Sequence, residues 1–249
     1  MIDIHCHILP GFDDGAASLN DALKMARIAV SSGVRGIAVT PHFPGNRESL
    51  ASLNRMVQQY KVLKQAVKTA GIPLQLCLGA EILCLPETVD MAHSKQLPAL
   101  GNTNYLLTEF YFDESYAQMD TRLAALADCG YRPVIAHPER YEAVQRDPRI
   151  LEDWFRKGYV IQLNKGSILG AFGAKPERTA TLALQYGLAH IIASDAHSPH
   201  RRTTDMGQVL DVVRRQFGPE YAALLLAKNP ARLVRGETMV PTGETFSVL

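Results

Sequence analysis

Strand-like and helix-like segments alternate about seven times along this chain of 249 residues. Short apolar runs, which are typical of buried strands, are followed by stretches whose apolar residues recur at helical spacing. The predicted strands span residues 1–8, 34–40, 74–82, 105–110, 133–136, 159–164 and 189–193. This alternation implies parallel strands joined by right-handed helical crossovers, and therefore an α/β fold.

The segments between the strands predict helices. Ser18 is the predicted N-cap of the first helix, with Asp21 three residues later, and Gly33 ends that helix. Further helices are predicted over residues 48–70, 87–93, 118–128, 150–157, 177–186, 206–217 and 220–226. Because no shift in composition marks a linker, we expect residues 1–249 to form one domain.

The composition excludes several classes of protein. With 47% hydrophobic and 20% charged residues, the chain has neither the polarity of a disordered protein nor the long apolar runs of a membrane protein. The formal net charge of +1 provides no overall field for binding nucleic acid or an anionic membrane. No basic and then apolar leader precedes the strand that begins at residue 2, so we expect a cytoplasmic protein that does not insert into a membrane.

The first predicted strand carries two histidines, His5 and His7. In a regular strand these side chains share one face with Asp3, whereas the apolar residues at positions 2, 4, 6 and 8 share the other face. Two imidazoles that project in parallel can bind one zinc, manganese or iron ion. Taken alone, such a pair is more typical of an edge strand whose histidines are hydrogen-bonded or solvated.

Residues of the metal-ligand type recur at or just beyond the C-terminal ends of the predicted strands. They are His5, His7, Asp14, His42, Glu81, Glu109, His137, Asp195 and His197. In barrels of parallel strands, active sites are built at that end. Each residue alone has a structural explanation, such as a turn histidine or a satisfied buried carboxylate, but their common position on six of the seven strands argues against coincidence. The remaining histidines, His93, His190 and His200, do not share this placement.

The four cysteines, Cys6, Cys77, Cys84 and Cys129, show no C-x-x-C spacing. We expect free thiols, as is usual in a reducing compartment. A cysteine-dependent tyrosine phosphatase carries an arginine six positions after its nucleophile, and none of the four cysteines has one. The sequence therefore predicts chemistry without a cysteine nucleophile.

At these residues the chain resembles the polymerase and histidinol phosphatase (PHP) family, and within it the bacterial manganese-dependent protein-tyrosine phosphatases of capsule and exopolysaccharide operons. The similar motifs are M-I-D-I-H-x-H with D-D-G after it, G-A-E, T-E-F, I-A-H-P-E-R-Y and S-D-x-H. The resemblance implies a distorted TIM-like barrel of seven βα units. That number matches the count of strands obtained from periodicity.

The resemblance also implies three divalent metal ions, with manganese expected first and iron or zinc as alternatives. It places His5, His7, Glu81 and Asp195 on one ion, Glu81, Glu109 and His137 on a second, and Asp14, His42 and His197 on the third. Such ions generate hydroxide from water near neutral pH and offset charge on phosphoryl oxygens, so that hydroxide attack needs no protein nucleophile. His42, Asp14 or a metal-bound water could supply the proton for the leaving group.

Arg140 and Arg202 are the expected phosphate-binding residues, because a guanidinium offers planar paired donors and stays charged. Arg140 follows His137 by three residues. Arg202 lies in the loop beyond Asp195, where the resembling phosphatases carry a phosphate-binding arginine. Arg47 and Arg201 are second candidates, and the Arg201-Arg202 doublet leaves the assignment open by one residue.

The expected substrate is phosphotyrosine on the tail of a membrane-associated tyrosine autokinase that controls capsule or exopolysaccharide synthesis. The alternative keeps the site and changes the substrate to histidinol phosphate or another small phosphoester. The near-neutral charge disfavours a nuclease, and the complete ligand set disfavours a non-catalytic kinase-binding regulator. The helical outer layer is compatible with a homo-oligomer, but no heptad or apolar stripe predicts one.

Overall fold

The computed structural model describes residues 1–240 and 242. The predicted domain of residues 1–249 also includes residues 241 and 243–249, which lie outside this description. Within the described residues the strands are β1 (Ile2–Cys6), β2 (Gly36–Val39), β3 (His42–Phe43), β4 (Gln75–Leu78), β5 (Glu81–Leu83), β6 (Tyr105–Glu109), β7 (Arg132–Ala136), β8 (Val160–Asn164) and β9 (Ile191–Ala193).

The helices of the same residues surround these strands. They are α1 (Leu19–Ser31), α2 (Leu50–Thr69), α3 (Pro86–His93), α4 (Tyr116–Asp128), α5 (Glu142–Arg146), α6 (Arg149–Arg156), α7 (Lys165–Ile168), α8 (Ala174–Gln185), α9 (Gly207–Phe217), α10 (Pro219–Ala223) and α11 (Asn229–Val234). Short 3-10 turns precede α2 and α5, and a π-helical segment, Leu224–Lys228, joins α10 to α11. None of the described helices combines the length and apolarity needed to cross a membrane.

All strand pairs are parallel, in the orders β1-β2-β4 and β3-β5-β6-β7-β8-β9. The predicted strand over residues 74–82 is divided into β4 and β5, and β3 continues β2 beyond the end of the predicted strand over residues 34–40. Pro41, which lacks an N–H group for the ladder, separates β2 from β3. Gly79 and Ala80 separate β4 from β5. If β2 with β3, and β4 with β5, are each counted once, the sheet has the predicted seven strands.

The first and last strands meet and close the sheet into a barrel. Cys6 forms a parallel bridge with Ala196, His7 N donates to Ala196 O over 2.9 Å, and Asp195 N donates to His5 O over 2.9 Å. Sequential parallel strands that close in this way form a TIM-like barrel. The prediction of a distorted barrel of seven βα units is therefore confirmed, and the divided strands are part of its distortion.

Two apolar clusters lie on the two sides of the strands. The smaller one draws residues such as Ile4, Ala38, Leu107 and Val134 from many strands and fills the barrel. The larger one packs the outer faces of the strands, including Cys6, against the helices. Burial of this apolar area is the main contribution to folding.

One predicted face assignment in β1 is wrong. Ile4 packs in the smaller cluster, whereas Cys6 and Ile8 pack in the larger one, so these three apolar residues do not share a face. The cause is a shift in the pairing of β1 with β2 between Asp3 and Cys6, which interrupts the regular alternation of side chains.

The ends of the longer helices follow the capping residues. Ser18 caps α1 and accepts a hydrogen bond from Asp21 N, as predicted. Helix α2 begins two residues later than predicted, because Asn46 caps a 3-10 turn over Arg47–Ser49. Helices α5, α7 and α11 were absent from the prediction. They have five, four and six residues and are too short for a helical period to be recognised.

Candidate metal centre

The carboxyl end of the barrel brings all nine expected ligands into one cluster. His5 lies in β1, His42 in β3, Glu81 in β5 and Glu109 at the end of β6, while His7, Asp14, His137, Asp195 and His197 lie in the connections that follow strands. Parallel strands end at the same edge of a barrel, so residues far apart in sequence meet there.

Four imidazoles surround the carboxylate of Glu81, which is 1% exposed. The nearest ring nitrogens of His5, His7, His42 and His137 lie 3.1, 3.1, 3.2 and 2.9 Å from a Glu81 oxygen. His42 Nδ1 also lies 3.1 Å from Glu109 Oε1. Glu81 thus has the central position that a bridging ligand requires.

The donor atoms fall into four overlapping groups, and the atoms of each group lie within 4.8 Å of one another. The groups are His7 with Asp14, His42 and His197; His5 with His7 and Glu81; His5 with His137 and Asp195; and His42 with Glu81 and Glu109. This grouping differs from the expected one at His137, which lies with His5 and Asp195 rather than with Glu109. The assignment of residues to individual ions stays a prediction.

Two further residues orient the imidazoles of β1. His5 Nδ1 donates to Gln162 Oε1 over 2.9 Å, and His7 Nδ1 donates to Asp13 Oδ2 over 2.8 Å. Because Nδ1 carries the donated proton, Nε2 is the nitrogen directed toward Glu81, and it becomes a metal ligand when it loses its own proton. The two Nε2 atoms lie 3.2 Å apart, as two ligands of one site do.

Sequence reasoning missed both of these acceptors. Asp13 belongs to the D-D-G motif and Gln162 to the predicted strand over residues 159–164, and the sequence assigned a role to neither. The one available signal for Gln162 was its polarity in a strand that is otherwise apolar up to Asn164. Asp13 also accepts hydrogen bonds from the backbone N–H groups of His42 and Gly15, so it holds the first loop against β3.

Asp195 is held by polar groups from several elements. Asn164 Nδ2 donates to Asp195 Oδ2 over 2.5 Å, and Arg202 Nη2 lies 2.5 Å from Asp195 Oδ1. His137, Asp195 and Arg202 have φ angles of +35°, +49° and +49°, which non-glycine residues rarely adopt. Such conformations cost free energy and concentrate at functional sites, because the surrounding structure must enforce them.

The electrostatic field of the cluster favours cations. Burial alone would lower the pKa of His5, but the charges of Glu81 and Asp195 raise it to about 9. Burial opposes the charge of His7 in the same way, and hydrogen bonds to Asp13 and Glu81 raise the pKa of His7 to about 10. Burial would raise the pKa of Glu81, but His5 and His137 hold it well below its usual range. A divalent cation would compete with these protons for the same nitrogens.

Two of the four candidate arginines lie beside the cluster. Arg140 Nη1 is 3.6 Å from Asp195 Oδ2, and Arg202 pairs with the other oxygen of Asp195. Arg47 and Arg201 are exposed, and among the described residues the arginines that form ion pairs with a candidate ligand are Arg140 and Arg202. The placement favours Arg202 over Arg201 for binding phosphate.

The remaining histidines and the cysteines lie outside the cluster. His93 and His200 are exposed, and His190 is buried at the start of β9, at the opposite end of the barrel. All four cysteines are free. Burial raises the pKa of the Cys77 thiol to about 11 and of Cys84 to about 12, and it raises that of Cys6 well above its usual value. These three thiols are protonated at neutral pH, which makes them poor nucleophiles.

The residues present fit a metal site. Imidazole nitrogens oriented by acceptors behind them, together with buried carboxylates, are donors that manganese, iron and zinc accept. A barrel of parallel strands with such a cluster at its carboxyl end is the architecture of a metal-dependent enzyme, and a metal ion that activates water suits hydrolysis.

Comparison with known proteins places this hydrolase in a family. The family model for capsular polysaccharide synthesis, CpsB/CapC, matches residues 1–235. The chain belongs to the CpsB/CapC family, and the resemblance found in its motifs is thereby confirmed.

Individual relatives match over nearly their whole length. The chain is 36% identical over 241 residues to the tyrosine-protein phosphatase YwqE of Bacillus subtilis, covering 96% of this chain and 93% of the relative. It is 29% identical over 241 residues to the tyrosine-protein phosphatase CpsB of Streptococcus pneumoniae, covering 94% of this chain and 98% of the relative. A solved structure from work on YwqE and CpsB, described as unique metal-dependent tyrosine phosphatases, matches with a TM-score of 0.87 and 34% identity over 96% of both chains.

Proposed function

We propose that this protein is a metal-dependent protein-tyrosine phosphatase. The observation that carries the proposal is the buried Glu81 carboxylate surrounded by four imidazoles, with Arg140 and Arg202 beside the same cluster. The names of the related proteins support a phosphotyrosyl substrate.

The proposed ligands are the nine clustered residues, His5, His7, Asp14, His42, Glu81, Glu109, His137, Asp195 and His197. Up to three divalent ions, with manganese as our first choice, would activate water and offset phosphoryl charge when bound. Gln162 and Asp13 orient the imidazoles of His5 and His7 for this purpose.

Arg140 and Arg202 are proposed to bind and orient the phosphoryl oxygens through paired N–H donors. Asp14 and His42 lie at the open side of the cluster, where their side chains are 67% and 37% exposed. We propose that one of them passes a proton to the leaving group, a role that their exposed position supports. A phenol has a pKa of about 10 and leaves readily, so this proton contributes less than it would for an alcohol.

The proposed partner is a tyrosine autokinase of polysaccharide synthesis that presents phosphotyrosines on a flexible tail. The exposed position of Asp14 and His42 supports this substrate, because a side chain on a protein can reach an open site. The proposed place of action is the cytoplasm, where such a kinase obtains its ATP.

The test is phosphate release from a phosphotyrosyl peptide and from histidinol phosphate. The protein is stripped of metal, assayed, and assayed again after addition of manganese. We expect metal-dependent release that favours the peptide. Preference for histidinol phosphate would contradict the proposed substrate, and no release from either substrate after reloading would contradict the proposed function.

A further inference from the structure

Arg140 is stacked between two phenyl rings. Its guanidinium carbon lies 4.4 Å from the centre of the Phe112 ring and 4.5 Å from the centre of the Phe172 ring. The guanidinium of Arg202 lies 5.8 Å from the same Phe172 ring. Both phosphate-binding candidates are therefore in contact with aromatic faces.

Neither ring belongs to the apolar core. Phe112 is 44% exposed and Phe172 is partly exposed, and both line an open depression of about 520 Å³ together with Arg140. Exposed rings that converge on one opening indicate a contact surface for a ligand. Phe172 is also held in place, since a Cβ atom at Gly166 would lie 2.5 Å from its Cε2 atom.

The depression adjoins the candidate metal centre. The Phe112 ring packs edge to face with the ring of His137, with 6.1 Å between the ring centres. Arg140 joins the two regions, because Nη1 faces Asp195 while the guanidinium plane faces the two rings. An ester group that extends from a phosphate bound by Arg140 into this depression would contact Phe112 and Phe172.

We propose that the depression lined by the exposed parts of Phe112 and Phe172, here called the aromatic cleft, receives the ring of an aryl phosphate beside Arg140 and so selects aryl over alkyl phosphate esters. This inference rests on the proposed function, and it names the residues that would make the phosphatase prefer substrates with an aromatic ring. A planar ring gains stacked or edge contacts with two phenyl groups, whereas an alkyl chain gains only apolar contact.

The test is the affinity of the manganese-loaded protein for phenylphosphonate and methylphosphonate, measured by calorimetry. Both probes carry the same anionic group, and they differ in the ring. We expect Phe112→Leu and Phe172→Leu each to weaken phenylphosphonate binding by about 10-fold and methylphosphonate binding by less than about 2-fold. Phe112→Tyr keeps a ring and should retain most of the preference. Tyr186→Leu removes an aromatic residue that is 64% exposed and outside the cleft, and serves as the control.

Each other outcome identifies what has failed. An equal loss for both probes would overturn the inference, because the rings would then only position Arg140. If the Leu substitutions changed neither affinity, the inference would be overturned as well. If the wild-type protein prefers phenylphosphonate through these rings but releases no phosphate from a phosphotyrosyl peptide, the proposed function fails while the cleft stands.

Discussion

At the scale of single residues, the acceptors behind the imidazoles decide which nitrogens face the cluster. The carboxylate of Asp13 accepts from His7 Nδ1 and from two backbone N–H groups, so it fixes both a ring and a loop. An acceptor of this kind raises the basicity of a metal-binding imidazole and holds its tautomer.

Replacing Asp13 with Asn should weaken manganese binding by about 10- to 100-fold, because the amide removes the charge and one of the acceptor oxygens. The fold should be retained, since the side chain keeps its volume. Calorimetric titration of metal-free protein with manganese measures the effect. Asp113→Asn changes an exposed carboxylate and is the matched control. Equal manganese affinity of the Asp13 variant and wild type would show that Asp13 does not position His7.

A second residue-scale prediction concerns His190, whose Nδ1 accepts a hydrogen bond from Ile161 N and whose ring stacks on Phe155. Burial lowers the pKa of His190 to about 4. Between pH 6.5 and pH 4 the unfolded chain therefore binds a proton that the folded chain does not. The free energy of unfolding is therefore unaffected by this histidine well above pH 6.5, and it decreases as the pH falls from 6.5 toward 4.

His190→Asn keeps an acceptor for Ile161 N but cannot titrate. Compared with this variant, the wild type should lose about 2 kcal/mol of unfolding free energy between pH 7 and pH 5. Urea unfolding at both pH values measures the difference. Any loss of metal at the lower pH should change the free energy of unfolding of both proteins equally, so it cancels in the comparison. His93→Asn, at an exposed histidine, should show no such change relative to wild type. Parallel pH profiles of the His190 variant and wild type would contradict the prediction.

The nine clustered residues were predictable from the sequence because each lies at or just beyond the C-terminal end of a predicted strand, whereas their hydrogen-bond and ring partners were not. His137 and Asp195 can be recognised in the sequence, because each is a residue of the metal-ligand type just beyond a strand. Asp13, Gln162, Phe112 and Phe172 act through contacts made only after the barrel closes, and no local spacing encodes those contacts. The position of each strand end is a local property, but the neighbours of a side chain are a tertiary one.

At the scale of elements, helix ends were predicted well and strand continuity was not. The period of the apolar residues located α1 and α8, and capping residues marked the start of α1. Periodicity cannot show that Pro41 interrupts one strand or that pairing shifts within β1. Both features depend on hydrogen bonds to a neighbouring strand.

The N-cap of α1 gives a prediction at this scale. Ser18→Ala removes the oxygen that accepts from Asp21 N, so it should cost about 1 kcal/mol and lower Tm by roughly 2–4 °C. Thermal unfolding followed by circular dichroism measures the shift. Ser31→Ala near the other end of α1 removes a hydroxyl that donates to Ile28 O, which is not a capping contact of the first turn, and should change Tm less. Equal shifts in the two variants would contradict the capping role.

At the scale of the whole molecule, the candidate metal centre joins the first and last strands of the barrel. Asp195 and His197 follow the last strand, and their donor atoms meet those of His5 and His7 from the first. The strands β3, β5, β6 and β7 also end at this cluster, through His42, Glu81, Glu109 and His137. That residues 1–249 form one domain stays a prediction. Candidate ligands drawn from six of the barrel's seven strands would couple metal binding to the stability of the whole barrel.

Metal removal should therefore lower the stability of the entire protein. A ligand that binds only the folded state at 1,000 times its Kd stabilises that state by about 4 kcal/mol, which corresponds to roughly 10 °C in Tm for a chain of this size. Calorimetric scans of stripped and manganese-loaded protein measure the shift. Glu81→Gln removes the central charge while keeping side-chain volume, so this variant should show little response to manganese. A wild-type Tm that is independent of manganese would contradict the metal centre, and a full response in the Glu81 variant would contradict the central role of that carboxylate.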